Sequence, residues 1–390
     1  METIDIAELH GFDANPYAYF ARWREQGPVH RLRDPFGTEF WLVLGYEDAR
    51  AALTDPRLAK SPEALPDPPY EIHSIGPSLL ESDPPDHTRL RRLIAREFTA
   101  RRVEQLAPRI ERITAELLDA LPPTGRGDLI ESLAFPLPIT VICELLGVPT
   151  KDREVFRSWS SELITPTSEE AGRLALDALT PYLDTLVEAK RRDPSDDLLS
   201  ALVATHDEDG DRLSVPELRG LAYLLLVAGH ETTVQLIAGA VRALLVDPVR
   251  LTAVRADPSL LDAVIEETLR HEGPILTSAG RFTVAPVEIG GVTVPAGEIV
   301  VVGLGAASRD PARFPDPDTF DPARDTRGHL AFGHGIHFCI GAGLARLEAR
   351  IALEALLNRL PALAADPEGG PPEWLPGLLL RGTRRLPVRW

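Results

Sequence analysis

Residues 214 to 246 read as a helix that is apolar on every side. Ser214-Val-Pro-Glu217 has the form of a capping box, in which a hydroxyl and a carboxylate satisfy each other's orphan amides. The apolar pattern runs on to about Val246, where Asp247-Pro248 stops it. Roughly 32 residues at 1.5 Å each make a rod about 48 Å long. A rod without a polar face has to run through the core, so the rest of the chain must wrap around it. Its centre breaks the pattern. Ala228-Gly-His-Glu-Thr-Thr233 sets polar residues where packing needs none.

The remaining signals are shorter. Glu39 to Gly45 reads as a strand, and Val287 to Gly303 as strands divided by turns at Gly290-Gly291 and Pro295-Ala296-Gly297. Arg309 to Asp325 holds too many prolines for a helix interior. Leu344 to Leu360 is an alanine-rich amphipathic helix. The expected fold is mainly α with small β-sheets (α+β), one domain over residues 1–390.

A formal net charge of −18 argues against a nucleic-acid partner. One stretch runs the other way: His87 to Arg102 has six arginines and one acid, alone the pattern of a solvated helix face. The two cysteines, Cys143 and Cys339, make no disulfide framework, so a reducing cytoplasm is expected. The N-terminus shows no signal-peptide pattern. Leu221 to Gly229, the longest apolar run, is too short to span a bilayer, so no membrane is expected.

Phe332 to Gly343 (FGHGIHFCIGAG) places Cys339 among four glycines and two histidines. Cys143 has the aliphatic neighbours of a packing cysteine; Cys339 does not. Glycines let a backbone approach a partner closely, so something large is expected against this loop, the alternative being a buried structural thiol. His230 to Val234 falls short of a helical zinc motif, because valine stands where the second imidazole belongs. Gly303 to Ser308 lacks the third glycine and the following helix of a dinucleotide-binding turn. Glu267 and Arg270 share a helix face, in isolation the pattern of a surface ion pair. Thr232 can return its hydroxyl to the carbonyl of Ala228.

In this order along one chain, the stretches resemble the cytochrome P-450 haem-thiolate monooxygenases. Phe332-x-x-Gly335-x-x-x-Cys339-x-Gly341 matches their haem-ligand loop and Ala228-Gly229-x-Glu231-Thr232 their oxygen-activation motif. Glu267-x-x-Arg270, with Arg324, matches their buried Glu–Arg network, and Asp83 to Arg92 the helix reaching the haem propionates in soluble bacterial members. The resemblance spans about Asn15 to Trp390. Gly343 stands where proline is frequent, and Ser308 where asparagine is; neither touches the chemistry.

The resemblance implies haem b (iron protoporphyrin IX) buried between helices, with Cys339 as thiolate ligand. Phe332 would pack on the porphyrin and Gly341 would let the next helix approach. His87, Arg91, Arg281 and His337 would hold the propionates. Glu231 and Thr232 would organise water and protons for dioxygen, favouring O2 and electrons over peroxide. Ile75, Leu79, Val227, Ala228, Ile275, Leu276, Thr277, Leu378 and Leu379 would line an apolar pocket. Its lid would involve the loop before Asp83 and the region from Ser161 to Gly172. The implied substrate is an apolar macrolide, other polyketide, terpenoid or steroid-like molecule. Electrons would come from a ferredoxin and ferredoxin reductase, docking on Arg89, Arg92, Arg96, Arg346 and Arg350 of a monomer. A haem-thiolate peroxygenase and a non-catalytic haem-binding protein are the alternatives.

Overall fold

The computed structural model describes residues 2–65, 75–164, 168–205 and 212–390. The helices that frame the site are α1 (Asp86–Ala95), α2 (Pro136–Leu145), α3 (Arg153–Ile164), α4 (Glu169–Arg192), α5 (Val215–Leu245), α6 (Leu261–Glu272) and α7 (Ala342–Arg359). The rod expected from the sequence is α5, 31 residues long. Its capping box forms: Ser214 Oγ accepts the Glu217 N–H, and the Glu217 carboxylate accepts the Ser214 N–H at 2.7 Å. Asp247 then caps the next helix, Pro248–Ala256, accepting from the amides of Val249 and Arg250.

Helix α5 belongs to two apolar clusters. Leu218 to Leu226 packs with Phe156 of α3 and Leu179 and Leu183 of α4. Val234 to Leu244 packs with Val264, Ile265 and Leu269 of α6 and Ile351 and Leu353 of α7. The helix is long and apolar enough to cross a membrane, but 67% of its most apolar window is buried inside the protein. It is a core rod. Residues 227 to 233 contribute to neither cluster, so the two cores leave the centre of α5 for something else.

The larger sheet runs β1 (Thr3–Asp5), β2 (Val29–Arg33), β3 (Glu39–Val43), β4 (Leu58–Ala59), β5 (Arg281–Thr283) and β6 (Ile299–Val302), in the spatial order β1-β2-β3-β6-β5-β4. Only β3 was expected at the front of the chain. Strand β2 (VHRLR) hides its alternation behind polar residues, and Arg31 earns its place by stacking on Trp41 and pairing with Glu39 at 3.0 Å. Val287–Ile289 and Val292–Val294 close a separate hairpin, while β6 leaves it to join β3 in parallel, Trp41 beside Val300. A single helical turn, Leu304–Ala307, lies within Gly303–Ser308, and turns rather than a helix follow it at Asp310-Pro311, as the sequence implied.

Candidate active site

Cys339 sits between the short turn Gly335–His337 and the first turn of α7. Its N–H donates to the Phe332 carbonyl at 2.9 Å. Gly335 has φ +76°, and a Cβ there would meet Thr54 Cγ2 at 2.9 Å, so glycine is required. A Cβ on Gly341 would stand 3.9 Å from the Cys339 sulfur. Burial pushes the Cys339 thiol up, opposed by the Gly341 amide, the Arg91 and Arg346 guanidiniums and the Ala342 amide. The residue nonetheless has open surface. Open surface amid dense protein means that it faces an interior cleft. Cys143, by contrast, is fully buried, its thiol pushed up to about 12 by burial.

Behind the loop, Arg346 stacks on Phe332 with 4.5 Å to the ring centroid and is ion-paired with Glu266. Glu266 also accepts from His329 Nε2 at 3.1 Å. Burial would raise the Glu266 carboxyl, but these two partners win and hold it at about 2.

In the centre of α5 Ala228 is exposed, and Val227, Gly229, Glu231 and Thr232 are partly so. Thr232 Oγ1 donates to the Ala228 carbonyl at 2.9 Å, as the sequence allowed, which leaves the hydroxyl's lone pairs to accept. Burial raises the Glu231 carboxyl, and a hydrogen bond from Gln235 Nε2 at 3.3 Å opposes it. Gln235 Oε1 also accepts the Thr383 N–H at 3.0 Å, tying the C-terminal segment to α5. His230 turns away into the core, with Nδ1 2.8 Å from the Leu226 carbonyl and Nε2 3.3 Å from Ser160 Oγ on α3. Burial lowers it to about 4, so it is neutral. Among the described residues no metal-ligating cluster of His, Cys, Asp and Glu occurs.

A third group gathers beside the loop. The His87 ring, 2% exposed on α1, has no partner on either nitrogen among the described residues. It lies 4.4 Å, centroid to centroid, from the ring of His337, whose Nδ1 is 3.1 Å from the Leu79 carbonyl and whose Nε2 has no such partner. Arg281 donates from Nη1 to the Leu58 carbonyl at 3.3 Å, leaving Nε without a partner among the described residues. Arg91 Nη2 donates to the Phe338 carbonyl at 2.8 Å, fastening α1 to the cysteine loop. Buried donors are ordinarily satisfied, so several together call for an acceptor.

The pocket residues separate. Val227, Ala228, Ile275, Leu378 and Leu379 keep open surface. Leu276, 1% exposed, packs into the core of the larger sheet with Phe40 and Leu42 and is not a lining residue. Thr277 is buried, its hydroxyl donating to the Leu378 carbonyl at 3.0 Å. Ile75 and Leu79 are 5% exposed and pack with Leu218 and Leu221. The end of their loop is clamped rather than loose: Arg219 of α5 bonds the Ile75 carbonyl, and a Cβ on Gly220 would meet the Pro77 carbonyl oxygen at 2.3 Å. Residues 66–74 and 165–167 of the expected lid lie outside the described residues.

Glu267 and Arg270 are no surface pair. Both are 0% exposed, and Arg270 reaches both carboxylate oxygens at 2.7 Å. Arg324 Nε lies 3.7 Å from the same carboxylate. Of the arginines expected to receive a partner, Arg89 pairs with Glu217, Arg346 with Glu266, and Arg350 with Glu354 at 3.8 Å.

A family model described as Cytochrome P450 matches residues 154–383. The chain belongs to the cytochrome P450 family. It is 54% identical over 392 residues to the cytochrome P450 monooxygenase PikC of Streptomyces venezuelae, covering 100% of this chain and 94% of that protein. It is 46% identical over 404 residues to 6-deoxyerythronolide B hydroxylase of Saccharopolyspora erythraea, covering 100% and 99%. The tirandamycin C-bound structure of the P450 monooxygenase TamI superposes with a TM-score of 0.90 at 42% identity, covering 99% of each chain. The fold is that of the P450s, the chain is a P450 monooxygenase, and its cofactor is haem b.

The residues present fit that cofactor. A P450 haem brings one iron needing a thiolate and two carboxylates needing donors. Cys339 offers sulfur to an interior cleft, and the unpaired nitrogens of His87, Arg281 and His337 gather beside its loop. Gln235 and Glu266 went unnoticed in the sequence. Only Gln235, one helical turn beyond Glu231, carried a signal that spacing could have found.

Proposed function

We propose that this P450 oxygenates an apolar small molecule of the macrolide or polyketide kind in the cytoplasm. It works as a monomeric single domain with a separate ferredoxin and ferredoxin reductase. The substrate class is supported by relatives named for 6-deoxyerythronolide B and captured with tirandamycin C. The observation that carries the reading is the interrupted core of α5. Ala228 is exposed within a buried rod, beside a carboxyl and a hydroxyl.

When bound, haem supplies the redox centre at which dioxygen is activated. Cys339 would ligate the iron, its thiolate charge eased by the Gly341 and Ala342 amides and by Arg91 and Arg346. Phe332, braced by Arg346, would lie along the porphyrin, and the small Gly341 would admit α7 beneath it. His87, Arg91, Arg281 and His337 would hold the propionates. Glu231, kept protonated more readily by burial and steadied by Gln235, would supply protons. Thr232, its own hydrogen committed to Ala228, would accept and order water. Val227, Ala228, Ile275, Leu378 and Leu379 would contact substrate, and none is charged, so shape would dominate recognition. The arginines on α1 and α7 would attract an acidic electron carrier.

The test is a screen of apolar natural products by the spectral shift that accompanies displacement of iron-bound water. Turnover of each hit is then compared with ferredoxin and with peroxide. Hits confined to the macrolide and polyketide compounds, turned over with ferredoxin, support the proposal. Equal rates with peroxide, or hits confined to small charged compounds, would overturn it.

A further inference from the structure

Lys60 belongs to no motif, yet it is 5% exposed and stands at the end of β4. Its Nζ donates to the carbonyls of Ala279 at 3.2 Å and Gly280 at 2.9 Å, the two residues before Arg281. Strands β4 and β5 pair antiparallel, Leu58 with Thr283 and Ala59 with Phe282. One step further, that register sets Lys60 opposite Arg281 on the same face.

Like charges directly across two strands repel, and burial adds a desolvation penalty. Burial first, and Arg281 second, push the Lys60 ammonium down to about 7, while Glu81 and Asp83 pull it back. Neither acid bonds the ammonium. The Asp83 carboxylate is engaged by the backbone N–H groups of Lys60 at 2.9 Å and Ser61 at 2.8 Å. The third ammonium hydrogen has no acceptor among the described residues, and neither has Arg281 Nε. His337 adds an Nε2 that likewise has no partner among the described residues. Two adjacent buried cations with unused donors are stable when an anion lies between them.

We infer that Lys60 is a fifth haem contact, donating to the same propionate as Arg281 and fixing its position. This rests on the propionate assignment above. The neutralised pair then anchors the edge of the large sheet to the cofactor.

The test uses purified holoprotein, with Lys60→Met removing the charge at similar bulk and Lys60→Arg retaining it. Haem transfer to excess apomyoglobin and the haem reduction potential are measured for each. Lys60→Met is expected to release haem about tenfold faster, the loss of one hydrogen bond to a charged group. Its potential should also fall, because a cation near the iron has gone. Lys60→Arg should restore both. If Lys60→Met does not fold, Lys60→Gln makes the same comparison. Wild-type release rate and potential in the neutral variant overturn the inference, even where thermal stability changes. A wild-type protein lacking the thiolate-type Soret band with carbon monoxide overturns the haem assignment itself, by a signal independent of the variants.

Discussion

Replacing Arg270 with leucine removes the hub of the most buried charged network among the described residues. Arg270 donates twice to Glu267 at 2.7 Å, and also to the carbonyls of Ser308 at 3.2 Å, Pro317 at 2.8 Å and Thr319 at 3.2 Å. The Glu267 carboxylate, 0% exposed, keeps only the Asp321 N–H at 2.8 Å and the more distant Arg324. Breaking a buried pair from one side costs about 3–5 kcal/mol, because the remaining charge is stranded. An unfolding entropy of about 2.1 cal/mol/K per residue over 390 residues converts that loss into a fall in Tm of about 4–6 °C. Thermal unfolding followed by far-UV circular dichroism reads it directly. Adding Glu267→Leu should recover part of the loss, since no lone carboxylate then remains. A single variant that melts within about 1 °C of wild type, or a double variant worse than the sum of both singles, would refute the reasoning.

Thr232→Ala should keep its haem yet divert electrons to peroxide, with product per electron pair falling at least about tenfold, as expected when the water that relays protons from Glu231 loses the acceptor that orders it; normal coupling would remove Thr232 from that role. Cys339→Ser should lose the thiolate-type carbon monoxide signature, and its retention would leave Cys143, fully buried, as the ligand to explain. Glu348 of α7 is 2% exposed, its Oε2 lacks a partner among the described residues, and burial raises it from 4.5 to about 8. A carboxyl with a raised folded pKa binds its proton more tightly in the folded state. Its penalty is therefore absent below about pH 4.5 and grows toward pH 8, by roughly 5 kcal/mol at most. Glu348→Gln should match wild type in Tm near pH 5 and exceed it increasingly up to pH 8; a difference that does not change with pH would sink this account.

Local signals were legible in the residues themselves. A capping box, an unbroken apolar rod and a glycine-rich cysteine loop each act within a few turns of chain, so Ser214, α5 and Cys339 could be located without a fold. The acid and threonine of α5 were legible for the same reason, being an interruption in a periodic pattern. What the tertiary structure decided depends on partners far apart in sequence. Glu267 and Arg270 look like a surface pair until the segment from Ser308 to Asp321 folds over them. Leu276 looks like a lining residue until the sheet core claims it. Gln235 acquires its role only when Thr383 arrives, and Lys60 only when strand pairing sets it beside Arg281. Periodicity records which way a side chain faces along its own element. Burial, charge and chemical duty are set by which other element it meets there.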